Sequence, residues 1–149
     1  MGHGGGYPDP DKMRRLADAA LSHDAASVQY AVSMLDDEDI RIRGEAFCSL
    51  VLNRGDIAPL LEQHLASQSH NVRAFCALVL ANRGDSASAP HIIPLLDDGR
   101  AAVRSCALGA LGYLGYAAAA GRVAELLNDE SEEVRRSAAK AVLDLKAAT

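Results

Sequence analysis

Apolar residues return every three or four positions through most of this chain, and the runs break at regular places. The clearest stretch opens at Ser69: Val72, Phe75, Cys76, Val79 and Leu80 follow at the spacing of one buried helical face. Ser69 is placed to cap that helix, and Asn82-Arg83-Gly84-Asp85 ends it, with Gly84 suited to the left-handed turn of a helix C-terminus. A second helix carries Ala89, Ile92, Ile93 and Leu96 and stops at Asp97-Asp98-Gly99. The same two-helix unit is written again by Val103, Cys106, Ala107, Ala110 and Leu111, a break over 112–115, then Ala120, Val123, Ala124 and Leu127. Ser131 caps a last helix with Val134, Ala138, Ala141, Val142 and Leu145. Upstream, Met13, Leu16, Ala17 and Leu21 are followed by Val28, Ala31, Val32 and Leu35. Ile42, Ala46, Val51 and Leu52 are followed by Leu61 and Leu65 in a shorter unit. No segment carries the alternation of a strand.

These units keep time with one another. Val-Arg or a close relative stands at Met13-Arg14, Ile42-Arg43, Val72-Arg73, Val103-Arg104 and Val134-Arg135, and Leu35, Leu65, Leu96 and Leu127 follow the same clock. A period of about 30 residues marks a solenoid, in which each unit buries its apolar face only against its neighbours. The expectation is an all-α, right-handed α-α solenoid of about four helical hairpins plus a closing helix. Residues 1–10, rich in glycine and proline, read as a flexible tail, and 11–149 as a single repeat domain.

The order Val-Arg, an Ala/Leu-rich helix, Gly-Asp, then Ala-Pro and Leu-Leu-Asp-Asp resembles HEAT repeats, most of all the short type of phycobilisome lyase-like proteins. The residues that carry it are Val72-Arg73, Gly84-Asp85, Ala89-Pro90 and Leu95-Leu96-Asp97-Asp98, echoed at Val103-Arg104, Gly115 and Leu126-Leu127-Asn128-Asp129. The resemblance implies HEAT-like helical hairpins over nearly the whole chain. The family includes scaffolds, lyase subunits and DNA-repair enzymes, so it implies several functions. Pro94 departs from the pattern mid-helix and removes one backbone donor, which predicts a kink or a late helix start.

Composition narrows the chemistry. Hydrophobic residues make up 49%, yet aromatics only 4% with no Trp, so alanine, leucine and valine must fill the interior. The net charge of -5 argues against a nucleic-acid partner, which selects a basic footprint. Cys48, Cys76 and Cys106 lack CxxC spacing and sit in apolar helical stretches, where free cysteine acts as a small buried hydrophobe. No apolar run approaches the ~20 residues of a membrane span, and no signal peptide is read at the start. A reducing cytoplasmic setting without membrane contact is expected, as a monomer or weak oligomer.

Several motifs invite a functional reading. Arg43, Arg73, Arg104 and Arg135 form a ladder that could hold anions or could satisfy carbonyls and a nearby carboxylate such as Asp56 or Asp85. Arg54-Gly55-Asp56 and Arg83-Gly84-Asp85 spell an adhesion tripeptide, but helix termination by Gly and capping by Asp account for both. The acidic turns around Asp36–Asp39, Asp97-Asp98 and Asp129–Glu133 read as caps and lack the spacing of an EF-hand loop. His3, His23, His64, His70 and His91 show no metal-binding spacing, although His64 and His91 fall on second helices of adjacent units. No metal, cofactor or catalytic constellation is read.

Aligning the second helices on the leucine clock puts Tyr30, Leu60, His91 and Arg122 at one outward position. Ser33, Gln63, Pro94 and Glu125 stand at another three residues on. Variable chemistry beside an invariant core row suits recognition of a protein segment, and it equally suits ordinary solvated surface. The partner-binding residues read from this row are Tyr30, Ser33, Leu60, Gln63, His91, Arg122 and Glu125, with Tyr113 and Tyr116 as a neighbouring aromatic pair. The function expected is a non-enzymatic scaffold binding another protein on its concave face. The alternative, implied by the resemblance, is a lyase-like enzyme or subunit handling a tetrapyrrole.

Overall fold

The computed structural model describes residues 5–149; Met1–Gly4, with His3 and the start of the expected tail, lie outside the described residues. Every regular element described is helical. The α-helices are α1 (Pro10–Leu21), α2 (Ala25–Ser33), α3 (Ile40–Leu52), α4 (Ala58–His64), α5 (His70–Asn82), α6 (Ala89–Ile92), α7 (Ala101–Leu114), α8 (Ala120–Glu125) and α9 (Glu132–Ala147). Odd-numbered helices carry the Val-Arg signature, and the clock leucines Leu35, Leu65, Leu96 and Leu127 stand just past the ends of the even-numbered ones. The chain forms two compact units, one ending at Ile57 and the other spanning Ala58–Thr149.

Local signals start and stop these helices where the residue types demand. Asp9, Asp24, Asp39, Ser69 and Ser131 accept backbone N–H groups at the starts of α1, α2, α3, α5 and α9. Helix α1 opens at Pro10, a position where its missing N–H costs nothing. Gly84 and Gly115 take φ of 73° and 63° beyond α5 and α7, in the left-handed region. Gly112 does not break α7, contrary to the reading of a break over 112–115. It lies inside the helix, where an added Cβ would stand 3.3 Å from the Cα of Ala141, so glycine permits close approach of α7 and α9.

The second helices are short and end in 3₁₀ turns. Met34–Asp36 follows α2, Ile93–Asp97 follows α6 and Leu126–Asn128 follows α8. The expected disturbance at Pro94 takes this form: α6 gives way at Ile93 to the longest of these turns. The tight ending itself does not need proline, since α2 and α8 share it.

In the first unit α1 packs on α3 beneath α2, and Leu16, Val28, Val32, Leu35, Ile42 and Leu50 are buried. In the second unit α5 packs on α7 and α7 on α9, with α6 and α8 against the following first helix. Leu61, Leu80, Ile92, Leu96, Leu108 and Leu111 fill that interior. Small side chains throughout let the helices approach, as the aliphatic, Trp-free composition implies. The leucine clock holds at Leu35, Leu65 and Leu96, which are buried, but Leu127 is 41% exposed. Register marks the position, but it does not by itself secure burial.

The cysteines also separate. Cys76 is buried and burial pushes its thiol up to about 12, whereas Cys106 is half-buried and Cys48 exposed. Repeat register explains the difference: Cys76 aligns with the buried Ala107 and Ala138, and Cys48 with the outward Lys140. The expectation of three buried thiols therefore holds for Cys76 alone.

Leu96→Ala should destabilise the protein by about 2–5 kcal/mol, because it empties a packed site. Leu127→Ala, on the same clock, should cost under about 1 kcal/mol as a partly exposed side chain. Urea unfolding of both variants, with equal losses, would show that register and not cover sets the energy.

Candidate functional site

The arginine ladder has a defined chemistry. Arg43, Arg73, Arg104 and Arg135 each donate from Nη1 to a carbonyl six residues upstream: Asp37, Ser67, Asp98 and Asp129 respectively, at 2.9, 2.8, 2.8 and 2.8 Å. Each guanidinium is thereby pinned to the turn that precedes its own helix. Two of them also grip a carboxylate 25 residues downstream. Arg73 bonds Asp98 through Nε at 2.8 Å and Nη2 at 3.2 Å, and Arg104 bonds Asp129 through the same atoms at 3.0 Å each. In the first unit Lys12 reaches Asp37 across the same separation, at 2.6 Å. The carboxylates are these turn aspartates and not Asp56 or Asp85. Asp85 instead accepts from Arg83 Nε at 2.8 Å, so within Arg83-Gly84-Asp85 it is an ion-pair partner and caps no helix.

Each turn aspartate does a second job. Asp37, Asp98 and Asp129 each accept the N–H two residues on, at 2.9 Å, fixing the turn that opens α3, α7 and α9. In the short unit Ser67 stands at this register and its hydroxyl takes the N–H of Ser69 at 3.2 Å. One carboxylate thus shapes a helix start and clamps the preceding first helix. The side chains of Arg104 and Asp129 are 10% and 8% exposed, so the fork acts where water screens it weakly.

The carboxyl groups record this environment. Burial alone would raise Asp98, but the Arg73 fork and the Arg100 N–H outweigh it and hold the group below the usual carboxylate range. For Asp129 the Arg104 fork is the main cause, with the Ser131 N–H adding to it. A carboxylate depressed in the folded state stabilises the fold above its unfolded value and loses that contribution as pH falls through the folded value. Stability should therefore drop steeply below about pH 4. Asp98→Asn with Asp129→Asn should flatten that limb in urea midpoints taken at successive pH. A parallel acid limb in this variant would remove the clamps from the account.

The variable row resolves into local pairs. In the first unit Tyr30 is half-buried, with the Arg15 guanidinium 3.6 Å over its ring, and Ser33 donates to the Tyr30 carbonyl at 2.6 Å. Arg15 thus covers one ring face that the sequence leaves open. In the second unit Leu60 is half-buried and Gln63 exposed. His91 Nε2 lies 3.6 Å from Glu62, whose other oxygen accepts from Ser88 Oγ at 2.6 Å. Arg122 bonds both oxygens of Asp97 at 2.8 Å and Glu125 at 2.8 Å. The pairs Glu62–His91 and Asp97–Arg122 join successive second helices, and neither acid was read from the sequence as part of the row.

His91 meets Glu62 at 3.6 Å. No three of His, Cys, Asp and Glu converge as a metal-holding group among the described residues. Tyr113 is 68% exposed and Tyr116 half-buried, so only the first is openly displayed. No described helix is long and apolar enough to cross a membrane.

Comparison with known proteins follows the same lines. No curated protein matches the sequence. Among solved structures, a chain of the complex of CpcE and CpcF of phycocyanin lyase from Nostoc sp. PCC7120 is similar over 99% of this chain and 68% of that one. It has a TM-score of 0.66 at 23% identity. An engineered protein is similar over 91% of this chain and 72% of its own, with a TM-score of 0.58 at 21% identity. At such identities the likeness is one of fold. The family model of HEAT repeats matches residues 57–144, and it covers α4 to α8 and most of α9 with the two complete arginine–aspartate clamps. The chain belongs to the HEAT-repeat family.

Proposed function

We propose that this protein is a non-enzymatic binding module that recognises a segment of another protein with the outward residues of its second helices. The observation that carries the reading is the contrast within one register. The core positions of α4, α6 and α8 are aliphatic and buried, while Leu60, Gln63, His91, Arg122 and Glu125 differ in chemistry from repeat to repeat. The Asp97–Arg122 ion pair between repeats restrains Arg122, and Glu62 lies 3.6 Å from His91; a restrained side chain loses less entropy on binding. Tyr30 and Ser33 occupy the matching positions of the second helix in the first unit. Arg and aromatic anchors of this kind dominate interface energies elsewhere.

A second reading has one observation in its favour, the fold likeness to a chain of the phycocyanin lyase complex. On that reading the protein is a lyase-like subunit that handles a tetrapyrrole. It predicts a coloured adduct or a shifted absorption band on incubation with a bilin.

The test places a photo-crosslinking residue at Gln63 in the native host and identifies what is captured. The binding reading expects one dominant protein adduct. Arg122→Ala or His91→Ala should weaken it at least about tenfold, Lys140→Ala should leave it intact, and stability should change by less than about 0.5 kcal/mol. Capture that survives both row variants would contradict the reading, and a bilin-dependent colour in their place would favour the second.

A further inference from the structure

We propose that the segment recognised by the second helices of the unit Ala58–Thr149 is a basic one, an extended stretch of a partner protein that presents arginine or lysine; this rests on the recognition row proposed above. The two layers of that unit differ in charge. The stretches that hold its second helices, 58–68, 86–98 and 117–130, carry six carboxylates and a single cation, Arg122. The stretches that hold its first helices, 69–85, 99–116 and 131–149, carry four carboxylates and eight cations. The first unit, taken by itself, has the same bias: 22–39, which holds α2, carries five carboxylates and neither lysine nor arginine.

The clamps account for part of this sorting, since they set Asp98 and Asp129 against Arg73 and Arg104. They leave Glu62, Asp97, Glu125 and Glu130 on the second layer with Arg122 alone to balance them. The side chains of Asp97 and Glu125 are 74% and 65% exposed, and Arg122 bonds both, so one cation serves two carboxylates. Glu62 accepts from the buried Ser88 Oγ at 2.6 Å, which fixes its place, and it has no lysine or arginine partner among the described residues. A partner that covers these groups strips water from them, and an apolar or acidic segment would leave their charge unmet. A basic segment meets it. Arg122 shows the mode, a guanidinium of one repeat gripped by both oxygens of a carboxylate of the repeat before it. In the first unit Tyr30 on α2 likewise receives a guanidinium, that of Arg15, 3.6 Å over its ring. Packed helices stand about 8–10 Å apart, the reach of about three extended residues. A basic residue at every third position therefore meets successive second helices.

The probe is a fluorescent peptide with arginine at every third position and glycine or serine between, titrated with the full chain by anisotropy at low ionic strength. A counterpart with glutamate in place of arginine is the control. Saturable binding of the arginine peptide alone is expected. Glu62→Gln with Glu125→Gln should weaken it about tenfold, and the new amide still accepts from Ser88. Glu132→Gln with Glu133→Gln makes the same change of charge on a first helix and should leave binding intact. Both pairs are first shown to unfold at the normal midpoint. Equal weakening by the two pairs reports only the net charge of the chain and overturns the proposal, as does an absence of binding up to about 1 mM peptide. The recognition row fails or stands separately. If His91→Ala or Arg122→Ala still weakens capture at Gln63 while the arginine peptide does not bind, the row takes a segment that is not basic, and only the basic partner is ruled out.

Discussion

A guanidinium with three acceptors holds the second unit together. Arg104 is nearly buried, and burying a cation is costly unless it is paired and hydrogen-bonded. The carbonyl of Asp98 meets one and the two oxygens of Asp129 meet two more. The acceptors come from the turns on either side of a single hairpin. The charge is therefore tolerable only when both turns and the helices they join are in place. Hydrophobic contact between alanine and leucine faces drives association but barely distinguishes one sliding position from another. The bidentate fork supplies the missing specificity, because it closes at one separation and one angle.

The two layers of helix have different work. First helices stack closely through Ala and Gly, as Gly112 against Ala141 shows, and carry the clamps. Second helices are short, end in 3₁₀ turns and turn their variable residues outward. Changes at Gln63 or Glu125 leave the clamps and the buried leucines untouched. Such a division lets the outward row vary while the stack stays fixed, which is what a recognition surface on a repeat scaffold requires.

Much of this was legible in the sequence. The 3.6-residue period marked the helices, Ser69 and Ser131 marked the starts of α5 and α9, and the Val-Arg clock marked the repeat. Register itself would have separated Cys48 from Cys76, but the other misses depend on what lies across a gap, which register does not encode. Leu127 keeps the clock yet is 41% exposed, and Gly112 reads as a breaker until Ala141 is placed against it. Asp98 and Asp129 read as caps, and their hold on Arg73 and Arg104 waits on the folding of a whole hairpin between them. A constant 25-residue offset between cation and carboxylate was available as a signal. In the variable row the sequence marked His91 and Arg122 but not Glu62 and Asp97, since a lateral partner sits on the neighbouring repeat.

The most direct test of the clamp is a double-mutant cycle on Arg104→Met and Asp129→Asn, read as unfolding free energy in urea at neutral pH. The account predicts a coupling of about 1–3 kcal/mol, with either single change costing nearly as much as both. Additive losses, with no coupling between the two positions, would contradict it and leave the register of the stack to apolar packing alone.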